Sequence, residues 1–169
     1  MRLGFTPQNH VCLNGKKYTV DLSFRKVMRT MALLKDSGIS EKVRVGMGVK
    51  ILLSPPSHTR ARLLAHPQKL ALLNKIFELL GTDSKSKQNT KPVISLEKDG
   101  ALIYGAFLQT YGINLNKGNL DWREFCVLLS CIPENTALFS VMQARTGETF
   151  ESMNDGLEAL LNKLIGGEC

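Results

Sequence analysis

The chain has 169 residues, of which 43% are hydrophobic, and a formal net charge of +7. No run approaches the roughly 20 apolar residues of a membrane-spanning helix, and the first ten residues lack the apolar centre of a signal peptide. The composition excludes these two classes and predicts a soluble, intracellular domain with its own core.

The charge is divided along the chain. Residues up to Pro92 hold 17 Lys+Arg and 5 Asp+Glu, whereas the later residues hold 5 and 10. Such polarity favours partner contacts at opposite ends, or attraction between the halves or between neighbouring copies. The alternative, that the charges are solvated surface groups whose division along the chain serves no partner, has about equal weight.

The first element is a predicted β-hairpin. Asn14-Gly15 lies between two short apolar-containing runs, a strong signal for a two-residue turn that would place Val11 opposite Tyr18. Because a lone hairpin is marginal in water, we expect it to lie against the helices or to join a strand of another chain. Asp21 is predicted to cap the next element, a helix from Leu22 to about Lys35.

The following segment, 43–53, is ambiguous. Its apolar residues alternate with polar residues and glycines, which by periodicity favours a strand. Ser40-Glu41-Lys42 in front of it is typical of a helix start, and a family resemblance described below also favours a helix. Our prediction is a helix.

Residues 58–81 are predicted to form one helix broken at Pro67, or two helices with Pro67 at the first position of the second. The main apolar stripe of this segment is predicted at Leu70, Leu73, Phe77 and Leu80, widened by Leu72, Ile76 and Leu79. Residues 82–92 contain no apolar side chain other than proline and are predicted to be a linker or loop.

Residues 99–145 contain three predicted helices. Apolar side chains recur at helical spacing up to Tyr111, and Gly112 supplies the left-handed residue that closes the first helix. Asp121 is predicted to cap the second helix, which Pro133 ends. The third is predicted to have Glu134 in its first turn and Arg145 near its end.

A last helical stripe is predicted after Gly147, at Leu157, Leu160, Leu161 and Leu164. It would either cover the core or bind a helix of another protein in a groove.

Several positions resemble a known family. They include Asp21 with Phe24-Arg25, Ser40-Glu41-Lys42, Asp99, Phe107, Tyr111-Gly112-Ile113, Leu120-Asp121-Trp122, Phe125, Ile132-Pro133 and Arg145. Together they resemble the small phage family named for the product of gene fifteen, from tailed phages of Gram-positive bacteria. The resemblance covers roughly positions 18 to 146 through many weakly specific positions. The motif residues that we expect to form its core are Phe24, Asp99, Phe107, Tyr111, Trp122, Phe125 and Arg145.

The resemblance implies a role rather than an activity. The family's place among tail genes favours a tail assembly chaperone in the host cytoplasm that binds the tape measure protein and, as a further partner, the tail tube subunit. The alternatives are a structural virion protein of the tail or connector and, less favoured, a nucleic-acid-binding regulator that uses the basic half. Self-association into a homo-oligomer is a further expectation.

No catalytic, cofactor or metal site is expected. The cysteines Cys12, Cys126, Cys131 and Cys169 form no CxxC pair, and none of the three histidines lies beside a cysteine or beside a serine in a known nucleophile elbow. The basic stretch from Lys50 to Lys69 lacks the interleaved aromatic residues of nucleic-acid-binding surfaces. Asp99 is predicted to pair with Arg145 across two packed helices, as a structural ion pair.

The sequence thus predicts a mostly α protein that is not an enzyme: a compact multi-helix domain of about six to seven helices with a short N-terminal β-hairpin. Residues 1–169 are expected to form a single helical domain, in which 10–81 and 95–165 could be two lobes joined by the polar linker 82–92.

Overall fold

A computed structural model describes residues 8–81 and 94–146, which form seven helices and one two-stranded antiparallel sheet. The strands are β1 (His10–Leu13) and β2 (Lys16–Thr19), and the helices are α1 (Phe24–Lys35), α2 (Glu41–Leu52), α3 (Ser57–Arg62), α4 (His66–Leu79), α5 (Gly100–Tyr111), α6 (Trp122–Ser130) and α7 (Ala137–Thr146). The prediction of a mostly α protein with an N-terminal hairpin is confirmed. None of the described helices combines the length and apolar character needed to cross a membrane.

The chain divides into two compact units, Met1–Asp83 and Ser84–Cys169. We call them the N-terminal unit and the C-terminal unit, and each is described separately below. The predicted linker 82–92 and the predicted last helix lie outside the described residues.

The hairpin has the predicted register. Asn14 and Gly15 form its turn with φ angles of 50° and 71°, and Val11 pairs with Tyr18. Tyr18 is buried in the core of the N-terminal unit. The alternation of inward and outward side chains along a strand therefore fixes which face of the hairpin meets the helices.

The hairpin is joined to the end of α2 by backbone hydrogen bonds. Val20 forms an antiparallel bridge with Leu53, the Asp21 N–H donates to the Leu52 carbonyl at 2.7 Å, and the Ser54 N–H donates to the Thr19 carbonyl at 3.0 Å. β1 also packs against α4. The first of the two expectations for a lone hairpin, that it lies against the helices of its own chain, is therefore confirmed.

The predicted start of α1 is wrong by two residues. The helix begins at Phe24 with Ser23 at the N-cap position, and Asp21 lies outside it. Asp21 instead accepts hydrogen bonds from the Ser23 N–H at 3.1 Å and from the Lys26 ammonium at 2.7 Å. Its own N–H is bound to the Leu52 carbonyl, which holds Asp21 in the extended segment after the hairpin.

The ambiguous segment is helical as far as Leu52, as we predicted, and Leu53 follows the helix in an extended conformation. α2 packs against both α1 and α4. Its buried residues follow helical spacing and are Val45, Gly48, Val49 and Leu52. A Cβ atom on Gly48 would lie 3.3 Å from the Thr30 Cγ2 atom of α1, so this glycine permits the close approach of the two helices.

The segment after the two prolines forms two helices, α3 and α4. Pro67 is the second residue of α4, one position later than predicted. The predicted main stripe is partly wrong: Leu72, Leu73, Ile76 and Leu80 are buried, whereas Leu70 and Phe77 are only half-buried. Because the hairpin and α2 both pack against α4, its buried face is set by two neighbours rather than one.

In the C-terminal unit, α5 packs against both α6 and α7. Gly112 follows α5 with a φ of 66°, so the predicted left-handed closure is confirmed. α7 begins at Ala137, and the prediction that Glu134 lies in its first turn is therefore wrong. Thr136 occupies the position before the helix, where its hydroxyl accepts a hydrogen bond from the Phe139 N–H at 3.3 Å.

Candidate functional site

The core of the C-terminal unit is a cluster of four aromatic side chains from α5 and α6. The Phe107 and Phe125 rings are stacked with centroids 5.1 Å apart, and Tyr111 and Trp122 extend the cluster at 5.6 Å on either side. The Tyr111 hydroxyl donates to the Leu128 carbonyl of α6 at 2.8 Å. These contacts fix α6 on α5, because aromatic pairs add specific geometry to the burial of apolar area.

The start of α6 is capped as predicted. The Asp121 carboxylate accepts from the Arg123 N–H at 2.9 Å, and the Glu124 carboxylate accepts from the Asp121 N–H at 3.3 Å. This reciprocal pair satisfies two of the N–H groups that a helix start leaves open. The Arg123 guanidinium also contacts the Asp121 carboxylate at 2.9 Å.

α7 is held to the start of α5 by a bidentate ion pair. The Arg145 Nη1 atom lies 2.6 Å from Asp99 Oδ2, and Nη2 lies 2.7 Å from Oδ1. The Asp99 side chain is 3% exposed and the Arg145 side chain 40%. The Ser95 N–H also donates to Asp99 Oδ2 at 2.8 Å. We refer to Ser95, Asp99 and Arg145 as the Asp99 clamp.

The pKa values of the Asp99 clamp favour a structural ion pair rather than a group that transfers protons. Hydrogen bonds from Arg145 and from the Ser95 N–H lower the pKa of Asp99 to about 2. The hydrogen bonds to Asp99 in turn raise the pKa of Arg145 above its usual value. Both groups therefore keep their charges near neutral pH, and neither can act as a proton donor or acceptor there.

The described residues present little nucleophilic or metal-binding chemistry. Burial and the nearby Asp121 charge raise the pKa of the Cys126 thiol to about 12, so it stays protonated. The His58 Nε2 atom contacts the Leu53 carbonyl rather than a nucleophile. No group of three or more His, Cys, Asp or Glu residues that could hold a metal ion occurs within 8–81 and 94–146.

The predicted motif residues fall into two places. Phe24 is the first residue of α1 in the N-terminal unit and is half-buried. The other six, which the C-terminal unit brings into the aromatic cluster and the Asp99 clamp, are Asp99, Phe107, Tyr111, Trp122, Phe125 and Arg145. The predicted partner-binding residues Leu157, Leu160, Leu161 and Leu164 lie outside the described residues.

Sequence reasoning missed three buried polar residues. Thr30 and Ser57 lie in the core of the N-terminal unit, and Thr136 lies in the C-terminal unit. The Ser57 hydroxyl accepts from the Thr19 N–H at 2.9 Å, which joins α3 to β2. Thr136 had a detectable signal, because a threonine directly before an apolar helical run is a frequent N-cap. Thr30 had none, since its burial depends on Gly48 of another helix.

The described part of the chain is thus a set of helices fastened by capping groups, aromatic packing and one buried ion pair. A sequence model described as Bacteriophage Gp15 protein matches residues 8–164. The chain therefore belongs to the Bacteriophage Gp15 protein family, and it is a phage structural or morphogenesis protein. Neither the search of curated proteins nor the search of solved structures found a match.

Proposed function

We propose that this chain is a tail assembly chaperone that binds the helical tape measure protein in the host cytoplasm without catalysing a reaction. The observation that carries the proposal is the family match over residues 8–164, which includes the leucine stripe Leu157, Leu160, Leu161 and Leu164. The expected tail tube subunit would be a second, competing partner of the tape measure.

The leucine stripe has the spacing of a helix-binding surface. Its members follow one another at intervals of three, one and three positions, which places them on one side if the segment is helical. Glu158 and Asn162 stand between its members, and Asp155 lies two positions before the first of them. A segment of this kind can cover an apolar ridge of another helix while its polar side stays in water.

A tape measure protein would offer apolar stripes to which the leucine stripe could bind. Long helical proteins expose apolar stripes that associate with one another unless they are covered. Many copies of a small helical protein could cover such stripes before the tube assembles. Each contact would have to be weak, since the combined affinity of many copies must be lost as tube subunits replace them.

Among the residues that the structure describes, the Asp99 clamp supports the proposal. Arg145 lies in the last turn of α7, and Leu157, the first member of the leucine stripe, follows it by 12 positions in the sequence. Its two bonds to a buried carboxylate hold this end of α7 against the start of α5. The stripe would therefore be presented from a fixed point of a folded unit, which reduces the entropy lost on binding.

The test is co-expression with a helical fragment of the tape measure protein. With the unsubstituted chain we expect the fragment to become soluble and to elute in a complex. A variant with Leu157→Ser, Leu160→Ser, Leu161→Ser and Leu164→Ser should lose the complex. The matched control, Glu151→Ser, Asp155→Ser, Glu158→Ser and Asn162→Ser, changes four neighbouring polar positions and should retain it.

Two results would contradict the proposal: a fragment that stays insoluble beside the unsubstituted chain, or a leucine variant that solubilises it equally well. The family match also fits a structural virion protein of the tail or connector. Mass spectrometry of purified virions separates the two functions, because a chaperone should be absent from the particle and a structural subunit present.

A further inference from the structure

Four exposed or half-buried cationic residues, Lys17, Arg60, Arg62 and Lys69, belong to segments of the N-terminal unit that meet around the end of α3. The Arg60 Nη1 atom donates to the Lys17 carbonyl of β2 at 3.0 Å. The Lys69 ammonium of α4 lies 3.5 Å from the Arg62 carbonyl, at the outer limit of a hydrogen bond. Leu63, which directly follows Arg62, is 88% exposed. We call these five residues the Leu63 surface.

No acidic side chain of the described residues pairs with the cations of the Leu63 surface. The Asp21 carboxylate pairs with the Lys26 ammonium, and the Asp36 carboxylate accepts a hydrogen bond from the Gly38 N–H within its own turn. Cations that are grouped without a counter-charge repel one another and create a positive local potential. The Leu63 surface thus combines uncompensated positive charge with one projecting aliphatic side chain.

The C-terminal residues of the chain have the complementary composition. Residues 148–168 contain five acidic side chains, Glu148, Glu151, Asp155, Glu158 and Glu168, against one basic side chain, Lys163. The same residues contain the leucine stripe. A segment that offers both acidic and leucine side chains can satisfy the charges of the Leu63 surface and cover Leu63 at once.

We propose that the Leu63 surface binds residues 148–168 of a second copy of this chain. Nucleic acid fits less well, because it would meet an aliphatic side chain where single strands require aromatic stacking, and Leu63 would remain exposed to water. The consequence goes beyond the proposed function: copies would shield one another's leucine stripes while no tape measure is present. Only this consequence, and not the association itself, rests on the proposed function.

The experiment is sedimentation velocity of the full chain without any tape measure fragment. We expect the unsubstituted chain to self-associate, and the association to weaken when salt rises to about 0.5 M. Arg60→Glu with Arg62→Glu should weaken it by about tenfold or more, and so should Glu151→Lys with Glu158→Lys. An equal mixture of these two variants should associate again, because the reversed charges are complementary.

The control is Arg25→Glu with Arg29→Glu on α1, which changes the net charge by the same amount at two exposed arginines. It should associate as the unsubstituted chain does. Circular dichroism checks that each variant is folded. If the Arg60→Glu, Arg62→Glu variant does not fold, the Glu151→Lys, Glu158→Lys variant still tests the pairing.

The proposal is overturned if the unsubstituted chain stays monomeric over the accessible concentrations, or if the mixture associates no better than its components. It is also overturned if the chain associates only on added duplex DNA and loses this with Arg60→Glu and Arg62→Glu. Because no tape measure is used, these failures leave the chaperone proposal unaffected.

Discussion

The buried carboxylate of Asp99 organises the C-terminal unit at the scale of single residues. This carboxylate accepts hydrogen bonds from the Ser95 N–H and from both terminal nitrogens of Arg145. The backbone N–H of Asp99 donates to the Ser95 carbonyl at 2.8 Å. Removing one partner of such a group leaves the other without its counter-charge, which costs more than the pair contributes when intact.

The first prediction concerns the pH dependence of this unit. The pKa of Asp99 is about 2 in the folded chain, below the value of 3.8 for a free side chain. A lowered folded-state pKa stabilises the fold above pH 3.8, and this stabilisation is lost as pH falls through about 2. Asp99→Asn should therefore lower the urea midpoint at pH 7, and its difference from the unsubstituted chain should shrink between pH 4 and pH 2.

The fluorescence of Trp122 follows this transition, because the single tryptophan of the chain lies in the aromatic cluster of the C-terminal unit. Glu134→Gln is the matched control: it removes one exposed carboxylate of the same unit and should leave the midpoint unchanged. A difference between Asp99→Asn and the unsubstituted chain that is constant from pH 7 to pH 2 would refute the assignment.

The second prediction concerns the cap of α7. The Thr136 hydroxyl donates to the Pro133 carbonyl at 3.0 Å and accepts from the Phe139 N–H. Thr136→Ala should lower the free energy of unfolding by about 1 kcal/mol, as measured by urea titration of Trp122 fluorescence. Ser140→Ala, one turn later, removes only the long bond of 3.4 Å from the Ser140 hydroxyl to the Thr136 carbonyl and should change it by less than about 0.5 kcal/mol. Equal effects of the two substitutions would show that Thr136 is not the cap.

At the scale of elements, α2 explains why periodicity alone was misleading. Its buried stripe is Val45, Gly48, Val49 and Leu52, and one of these four is a glycine. A pattern search counts Gly48 as non-apolar, so the remaining valines, methionine and isoleucine form an apparent alternation. Val43 and Met47, which complete that alternation, are exposed. Packing against α1 and α4 makes this segment helical despite its strand-like pattern.

The third prediction compares the two glycines of α2. Gly48→Val should destabilise the N-terminal unit by about 1–3 kcal/mol, because the added atoms meet Thr30 and Leu73. Gly46→Ala should stabilise it by about 0.5–1 kcal/mol, since nothing lies within 4 Å of the new Cβ atom. Urea titration followed by far-ultraviolet circular dichroism measures both. Substitutions that act in the same direction would contradict the proposed packing of Gly48.

At the scale of the whole molecule, two compact units divide the chain near Asp83, and the stretch 82–92 contains no apolar side chain other than Pro92. Positive charge is concentrated before this stretch and negative charge after it. The two units therefore differ in the partners they would attract, which is the basis of the proposed pairing between copies.

The fourth prediction tests this division. Limited digestion with trypsin should cut first at Lys85 or Lys87 and release two fragments that resist further cleavage. Mass spectrometry of the early products identifies the sites. The exposed basic residues inside helices, such as Arg25, Arg29 and Lys75, provide an internal control, because folded helices are cut slowly. First cleavage within α1 or α4 would refute the predicted linker.

The sequence by itself determined the features that depend on neighbouring residues. The Asn14-Gly15 turn, the Gly112 closure of α5 and the Asp121 cap of α6 were each predicted, because backbone conformation and local hydrogen bonds depend on a few adjacent side chains. The pairing of Asp99 with Arg145 was also anticipated, because opposite charges stood at the ends of helices expected to pack.

Only the tertiary structure decided what depends on several elements at once. The burial of Thr30 against Gly48, the buried face of α4 and the removal of Asp21 from the start of α1 all follow from contacts between residues far apart in the chain. The tertiary structure also brought Lys17 beside Arg60, on elements that are 43 residues apart. Local rules cannot supply such contacts, because their free energy is gained only when the whole unit packs.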